Sequence, residues 1–422
     1  MDRPRAPAAL SRRRFLKLAA AGVAGAAVSS LTGAVEATDT GAAREEVPVR
    51  GWRRWMHGFG GEDPAATARA LKDAGFDVVV SGPTDAVTAA GMEAWLCGGA
   101  FGLPGEGADQ LKAVNDRGNR HIWFGSGCPN QPPLRERNLE NYRKMAQTPG
   151  IAGILVDGCR FASPASGLDG YLTCFCDVCR EKAGRLGFDF AKMRRDVIVL
   201  REAFTSRTGR ASRKVEWVEN PVGVAEWLTD HPGVLEWLRF RRVCVTEHFR
   251  AISEVIHRAD LRMGVYIFTP SLSPFVGQSY ADLSEFMDVF APMIYRNYPQ
   301  RPGEACLNWE LTIIPEELGL QGTPEESEAM ALVLSWTGLD QIVRDRTIDG
   351  VRAALPPESV AQQTAFARAL IGPTKELAPI IYIEDPQIRK TVAGVREAGA
   401  DGVNFFVFMD KWAELVAPAM SG

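Results

Sequence analysis

The sequence predicts an α/β protein, a closed (β/α)8 TIM barrel with long loops after strands 4 and 6. Three observations carry this. From about residue 50 onward, short apolar runs alternate with amphipathic helical stretches, the signature of a parallel sheet with helices outside. The apolar runs number eight, as a closed barrel requires. No Gly-x-Gly-x-x-Gly follows any of them, which disfavours an open dinucleotide-binding sheet.

The first strand is expected over Trp52–Phe59 and the second over Phe76–Ser81, with a helix at Pro64–Ala74 between them. The third is Ala94–Cys97 and the fourth Gly153–Asp157. A further apolar run, His121–Phe124, exceeds the count and is expected as a strand or hairpin in the loop after the third strand. The long helix Val234–Ala259 shows Val245, Phe249, Ile252 and Ile256 at helical spacing, a stripe that should face the barrel. It leads into the fifth strand, Met263–Phe268. The sixth is Val289–Tyr295, the seventh Pro379–Glu384 and the eighth Gly402–Phe408. About a hundred residues separate Asp157 from the fifth strand, and more than eighty separate Tyr295 from the seventh. Both insertions follow carboxyl ends of strands, where a barrel builds its site.

At 422 residues the chain could form two average domains or one large barrel. A net charge of −4 and the lack of a basic tract argue against a nucleic-acid partner. The amino terminus reads as a targeting segment: Ser11-Arg12-Arg13-Arg14-Phe15-Leu16-Lys17 precedes an apolar, Ala-rich stretch, the pattern of a twin-arginine signal. The apolar stretch is shorter than the roughly 20 residues of a spanning helix. Cleavage after Ala37 divides the chain into a signal at 1–37, a polar linker at 38–49 and a barrel at 50–422. The alternative is an arginine-rich tail. The expected mature protein is periplasmic or secreted, a client of the twin-arginine export machinery that makes no use of a membrane once the signal is removed.

Cys174-Phe175-Cys176-Asp177-Val178-Cys179 supplies three thiols from one tight turn. A soft metal such as zinc takes four thiolates in a tetrahedron, so a fourth ligand is needed. Twin-arginine export carries folded proteins, which allows a thiolate site loaded before export and weakens the presumption of disulfides. A disulfide framework remains the alternative. Upstream lies Cys128-Pro129-Asn130-Gln131-Pro132. Cys-Pro-Asn-x-Pro, then a helix, then a strand ending in Asp, then C-x-C-x-x-C, resembles glycoside hydrolase family 42 β-galactosidases over about residues 121–186. The resemblance implies a structural zinc held by Cys128, Cys174, Cys176 and Cys179, with Cys159 as the competing fourth ligand. No organic cofactor is expected.

One departure changes the expected chemistry. In family 42 the fourth strand ends Asp-Asn-Glu, and that Glu is the acid/base. Here the run is Asp157-Gly158-Cys159-Arg160-Phe161, so a cysteine takes its place. This run is closer to the Asp-x-x-Arg-Phe strand end of other glycosidase-like barrels. A glycosidase needs two carboxyl groups across the scissile bond, and barrel glycosidases commonly take them from the fourth and seventh strand ends. Those ends supply Asp157, the expected acid/base, and Glu384, the expected nucleophile or base. The alternatives are an Asp157–Arg160 ion pair and a helix-initiating role for Glu384, since Asp385-Pro386 reads as a helix start.

Four residues are candidate substrate contacts. Arg160 could hold hydroxyls or a sugar carboxylate, or pair structurally. His57 ends the first strand and could equally be a satisfied core histidine. Tyr295, in Pro292-Met293-Ile294-Tyr295, faces the site in the barrels it resembles. Trp412 is a stacking platform or a packing residue. Asp288, at the start of the sixth strand, belongs to the opposite face. Five scattered histidines and no Gly-x-Ser-x-Gly argue against a histidine metal centre and a serine nucleophile elbow. The expectation is an exported glycoside hydrolase acting on an oligo- or polysaccharide. A non-catalytic glycan-binding barrel is the main rival, and an exported thiol or metal redox protein the third reading.

Overall fold

A computed structural model describes residues 51–105, 108–205, 221–301 and 303–420. The expected signal at 1–37 and linker at 38–49 lie outside the described residues. Among those described, eight parallel strands close into a barrel with helices around it.

The strands are β1 (Arg53–His57), β2 (Val78–Val80), β3 (Glu93–Gly98), β4 (Ile151–Val156), β5 (Arg262–Phe268), β6 (Val289–Met293), β7 (Glu376–Leu377 continuing as Ile380–Tyr382) and β8 (Gly402–Phe406). Each lies within a few residues of its sequence expectation. The barrel closes where β8 runs in register with β1, from Arg53 opposite Gly402 to His57 opposite Phe406. β7 is broken at Ala378-Pro379 because proline has no N–H for the ladder. Its two halves still bridge the circle, Glu376 pairing with Val289 and Ile380 with Met293. The extra run after β3 begins in a small hairpin, Arg120–His121 antiparallel to Ala113–Val114.

The helices used below are α1 (Pro64–Asp73), α2 (Thr84–Ala89), α3 (Pro132–Met145), α4 (Asp177–Arg185), α5 (Phe190–Thr205), α6 (Gly233–His257), α7 (Pro357–Ile371), α8 (Ile388–Glu397) and α9 (Trp412–Met420). α1 starts where its sequence says it should: Asp63 accepts from the N–H groups of Ala65 and Ala66, and Pro64 occupies the first turn. On α6 the stripe Val245, Phe249, Ile252 and Ile256 is fully buried, in one cluster with Met263, Val265 and Ile267 of β5. Burying four such side chains contributes roughly 6–12 kcal/mol, an upper estimate because unfolded chains already bury some apolar surface.

Alternation along β5 sends Met263, Val265 and Ile267 to the helices, and Tyr266 and Phe268 to the barrel interior. Trp55 and Trp95 fill that interior, ring centroids 5.0 Å apart. Gly153 on β4 is small for this reason: a Cβ there would lie 2.6 Å from the Trp95 ring. The amino end of the barrel is sealed by charge. Glu376, buried, takes Arg262 at 2.6 Å and Arg53 at 3.3 Å. Asp288 sits at the same end, accepting from Met263 N at 2.8 Å. A shallow cavity of about 400 Å³ opens here between Trp52, Asp77 and these arginines, away from the strand ends that build barrel sites. No helix among the described residues is long and apolar enough to cross a membrane.

Candidate active site at the carboxyl end of the barrel

The inward alternation ends, strand by strand, in a polar and aromatic mouth. β1 delivers His57, β3 Cys97, β4 Asp157, β5 Tyr266, β6 Tyr295, β7 Tyr382 and Glu384, and β8 Phe406. Rings bind these ends together: His57 to Phe406 at 5.2 Å, Tyr295 to Phe406 at 5.3 Å, and Tyr298 to Tyr382 at 5.2 Å.

Asp157 follows β4, its N–H bonded to Gly98 O at 2.8 Å. Its carboxylate is half-buried and accepts from Gly158 N at 2.7 Å. Burial pushes its pKa up, opposed by the charge of Arg160 and the Gly158 N–H. Its charge is felt by Cys97, Tyr266 and Tyr295, so it stands among the mouth residues. The alternative of an Asp157–Arg160 ion pair is not what forms. Arg160 is buried and pairs with Glu304 at 3.0 Å.

Glu384 is exposed just beyond β7 and accepts the Tyr382 hydroxyl. The helix-starting role belongs to its neighbour. Asp385 is buried, accepts from Gln387 N at 2.8 Å and from Thr391 Oγ1 at 2.6 Å ahead of α8, and is paired with Arg296. Glu384 is thereby left at the rim. β4 and β7 are three strands apart in the ring, with β5 and β6 between them.

His57 is half-buried, its Nδ1 2.8 Å from the Tyr266 hydroxyl, and burial lowers its pKa to about 4, so the ring is neutral. Tyr295 lies between Phe406 and Tyr298 at the end of β6. Arg160 is held on every side: between the rings of Trp123 (4.5 Å) and Phe268 (4.6 Å), against Glu304, and on Phe161 O at 3.0 Å. Trp412 is placed differently from the stacking platform considered above. It is buried at the start of α9, edge-on to Phe76 at 5.8 Å and beside Phe408 at 6.1 Å. A platform needs an open face, and these rings take it.

Beside the mouth lies the sulfur cluster. Cys128, Cys174, Cys176 and Cys179 are all buried, with sulfurs within 4.8 Å of one another. A tetrahedron with metal–sulfur bonds of about 2.3 Å has sulfur–sulfur edges of about 3.8 Å; here Cys128 lies 3.5 Å from Cys179 and 3.7 Å from Cys176. The four residues could hold a metal ion. Cys159 is not among them, so Cys128 completes the set. All eight cysteines are free thiols, so the disulfide alternative does not hold. N–H groups point at the sulfurs as they do around thiolates: Val114 N on Cys174 at 3.3 Å, Asn130 N on Cys128 at 3.4 Å and Asn130 Nδ2 on Cys179 at 3.3 Å. Four thiolates around a divalent ion carry a net charge of −2. Arg241 of α6, buried and close enough to feel Cys174 and Cys179, would offset that charge. Its guanidinium also fixes the loop, donating to Tyr171 O at 2.8 Å and Thr173 O at 3.1 Å just ahead of Cys174.

Sequence reasoning missed three carboxylates that tie the β6 loop to the β4 loop. Glu304 takes Arg160, Glu310 accepts from Ala165 N at 2.8 Å and Glu317 from Leu168 N at 2.8 Å. Glu310 also accepts from Ala305 N at 2.7 Å, yet burial outweighs these donors and raises its pKa to about 7. No motif marks these residues. The only signal is that glutamates recur in an otherwise apolar stretch, Glu304, Glu310 and Glu316-Glu317.

No family model matches the chain, and no curated protein matches it. Among solved structures it is similar to the catalytic domain of β-amylase from Paenibacillus polymyxa, at 13% identity over 88% of this chain and 94% of that one, with a TM-score of 0.49. It is also similar to the PgaB (BpsB) glycoside hydrolase domain from Bordetella bronchiseptica, at 12% identity over 89% and 99%, TM-score 0.47. A third similar structure is not a hydrolase by name: the 3-keto-D-glucoside 4-epimerase YcjR from E. coli, at 10% identity over 88% and 100%, TM-score 0.39.

Proposed function

We propose that the chain is an exported glycoside hydrolase-like enzyme that cleaves a glycosidic bond in an oligo- or polysaccharide with the pair Asp157 and Glu384. The observation that carries this reading is the asymmetry of the two carboxyls. Asp157 is recessed, and burial favours its protonated form. Glu384 is exposed just beyond β7, on the Tyr382 hydroxyl. An acid that donates to the leaving oxygen, facing an ionised partner, is what glycoside cleavage requires. Tyr295, His57 and the surrounding rings then offer a hydroxyl, a neutral imidazole and apolar faces to a sugar. Arg160 acts from beneath, as the post that joins the β4 and β6 loops.

The four-cysteine cluster is proposed to hold a structural zinc, closed to substrate because all four positions are taken by thiolate. It ties the β3 loop, through Cys128, to the β4 loop that follows Asp157. The leader at 1–37 is proposed to direct twin-arginine export. Amino-terminal sequencing of secreted protein, beginning at Thr38, tests that.

The test of the main reading is turnover on a panel of glycans and aryl glycosides with the wild type, Asp157→Asn and Glu384→Gln. Loss of about 10²-fold or more in each variant supports the pair. Undiminished turnover in either variant removes that residue from the mechanism. A second reading, a barrel that binds glycan without cleaving it, is favoured by one observation: Cys159 stands where a family 42 enzyme has its glutamate, and burial raises its thiol pKa. Retention of a sugar without bond cleavage selects it. A redox role fits less well, because burial also raises the pKa of the Cys97 and Cys244 thiols and thiolate is the reactive form.

A further inference from the structure

His57, Tyr266 and Asn404 form a chain of hydrogen bonds across three strands. Asn404 on β8 is fully buried, and its Nδ2 lies 3.2 Å from the Tyr266 hydroxyl oxygen. That oxygen, buried on β5, lies 2.8 Å from His57 Nδ1 on β1. A carboxamide nitrogen can only donate, so Asn404 gives its N–H to the tyrosine oxygen. The tyrosine's own proton is then free for its other neighbour, and it points at His57 Nδ1. A neutral imidazole has one donor and one acceptor nitrogen. With Nδ1 accepting, the proton sits on Nε2, on the ring edge away from Tyr266.

The amide orientation rests on the Tyr266 contact. Trp55 is Asn404's partner in register, and its buried Nε1–H can only donate. Neither Trp55 Nε1 nor Asn404 Oδ1 has a hydrogen-bond partner, so the two are not bonded to each other.

From this geometry we infer that Tyr266 and Asn404 are positioning residues that lock His57 as an Nε2–H donor at the barrel mouth, aimed at an oxygen of the substrate. The inference deepens the glycosidase reading and rests on it for the word substrate. The locked tautomer itself does not. Of the three residues His57 alone is partly exposed, so it is the one a ligand reaches. A ring held this way donates to a sugar hydroxyl or to an oxygen gaining negative charge, and it does not serve as a base through Nε2. The titratable groups around the chain are few. Tyr266 itself faces His57, and Cys97, Asp157 and Tyr295 face Tyr266. Phe406 covers the ring from β8.

Nitrogen-15 NMR of the histidine ring in the full chain tests the lock without any substrate, so its outcome is separate from that of the glycosidase reading. The wild type should show a neutral His57 with Nε2 protonated, unchanged between pH 5.5 and 8. Tyr266→Phe keeps the ring packing and removes only the hydroxyl. It should release His57 to a mixture of tautomers. Asn404→Ala, a second variant checked for folding by circular dichroism, should also broaden the tautomer population. If turnover is found, Tyr266→Phe should lower kcat more than it raises KM, by about 10-fold or more. A wild-type His57 protonated on Nδ1, or a tautomer that stays locked in Tyr266→Phe, overturns the inference.

Discussion

Arg160 and Glu304 form an ion pair at 3.0 Å with both side chains almost wholly buried, and it joins the chain leaving β4 to the chain leaving β6. The two long insertions are thereby one structure at the mouth. Buried ions tolerate loss of one partner poorly, because the survivor keeps its desolvation cost without its attraction. Arg160→Ala and Glu304→Ala should each cost about 3–5 kcal/mol of stability in denaturant titration. The double variant should cost clearly less than their sum. Additive losses would mean that the pair is not coupled.

The four-cysteine cluster makes a separate prediction. Purified protein should contain one zinc per chain by elemental analysis. Cys176→Ser should lose it and melt more than 10 °C lower, since thiolate zinc sites contribute on the order of 10 kcal/mol to the folds they close. Cys159→Ser should keep the full metal content. Equal loss in both variants would place Cys159 in the site.

Glu310 gives stability a pH dependence of definite sign. Its pKa is about 7 in the folded chain against an ordinary 4.5, because burial disfavours the charged form more than Ala165 N and Ala305 N favour it. The folded state therefore holds a proton the unfolded chain has lost. The stabilisation is fully present below about 4.5 and is lost as pH rises through about 7. Glu310→Gln, which mimics the protonated form, should flatten this part of the profile, by an amount on the order of 3 kcal/mol across the window. An unchanged profile in the variant would mean that Glu310 is ionised in the fold.

Much of the architecture was legible in the sequence because strand signals are local. Each inward run, such as Ile154-Leu155-Val156 or Val78-Val79-Val80, is apolar on both faces, as a strand buried between interior and helices must be. The four-cysteine set was legible because three of its members share one turn and the fourth opens the Cys128-Pro129-Asn130 segment. The rest of the mouth was not, because its contacts are long-range. Tyr266 and Asn404 read as ordinary strand residues until the barrel closes and sets them beside His57. Whether Arg160 binds substrate or pairs structurally stayed open in the sequence because its partner, Glu304, is 144 positions away. Trp412 stayed open between platform and packing because its distance from the eighth strand says nothing of its edge-on contact with Phe76.

The most direct measurement is the effect of Asp157→Asn on bond cleavage, followed across pH with a glycan that the wild type degrades. Asp157 is expected to act as the protonated acid, so wild-type turnover should fall on the alkaline side with an apparent pKa above the ordinary carboxylate range. The variant should lose about 10²-fold or more in turnover while still binding the sugar. Full activity in Asp157→Asn, or a wild type that holds the glycan and never cuts it, would contradict the assignment.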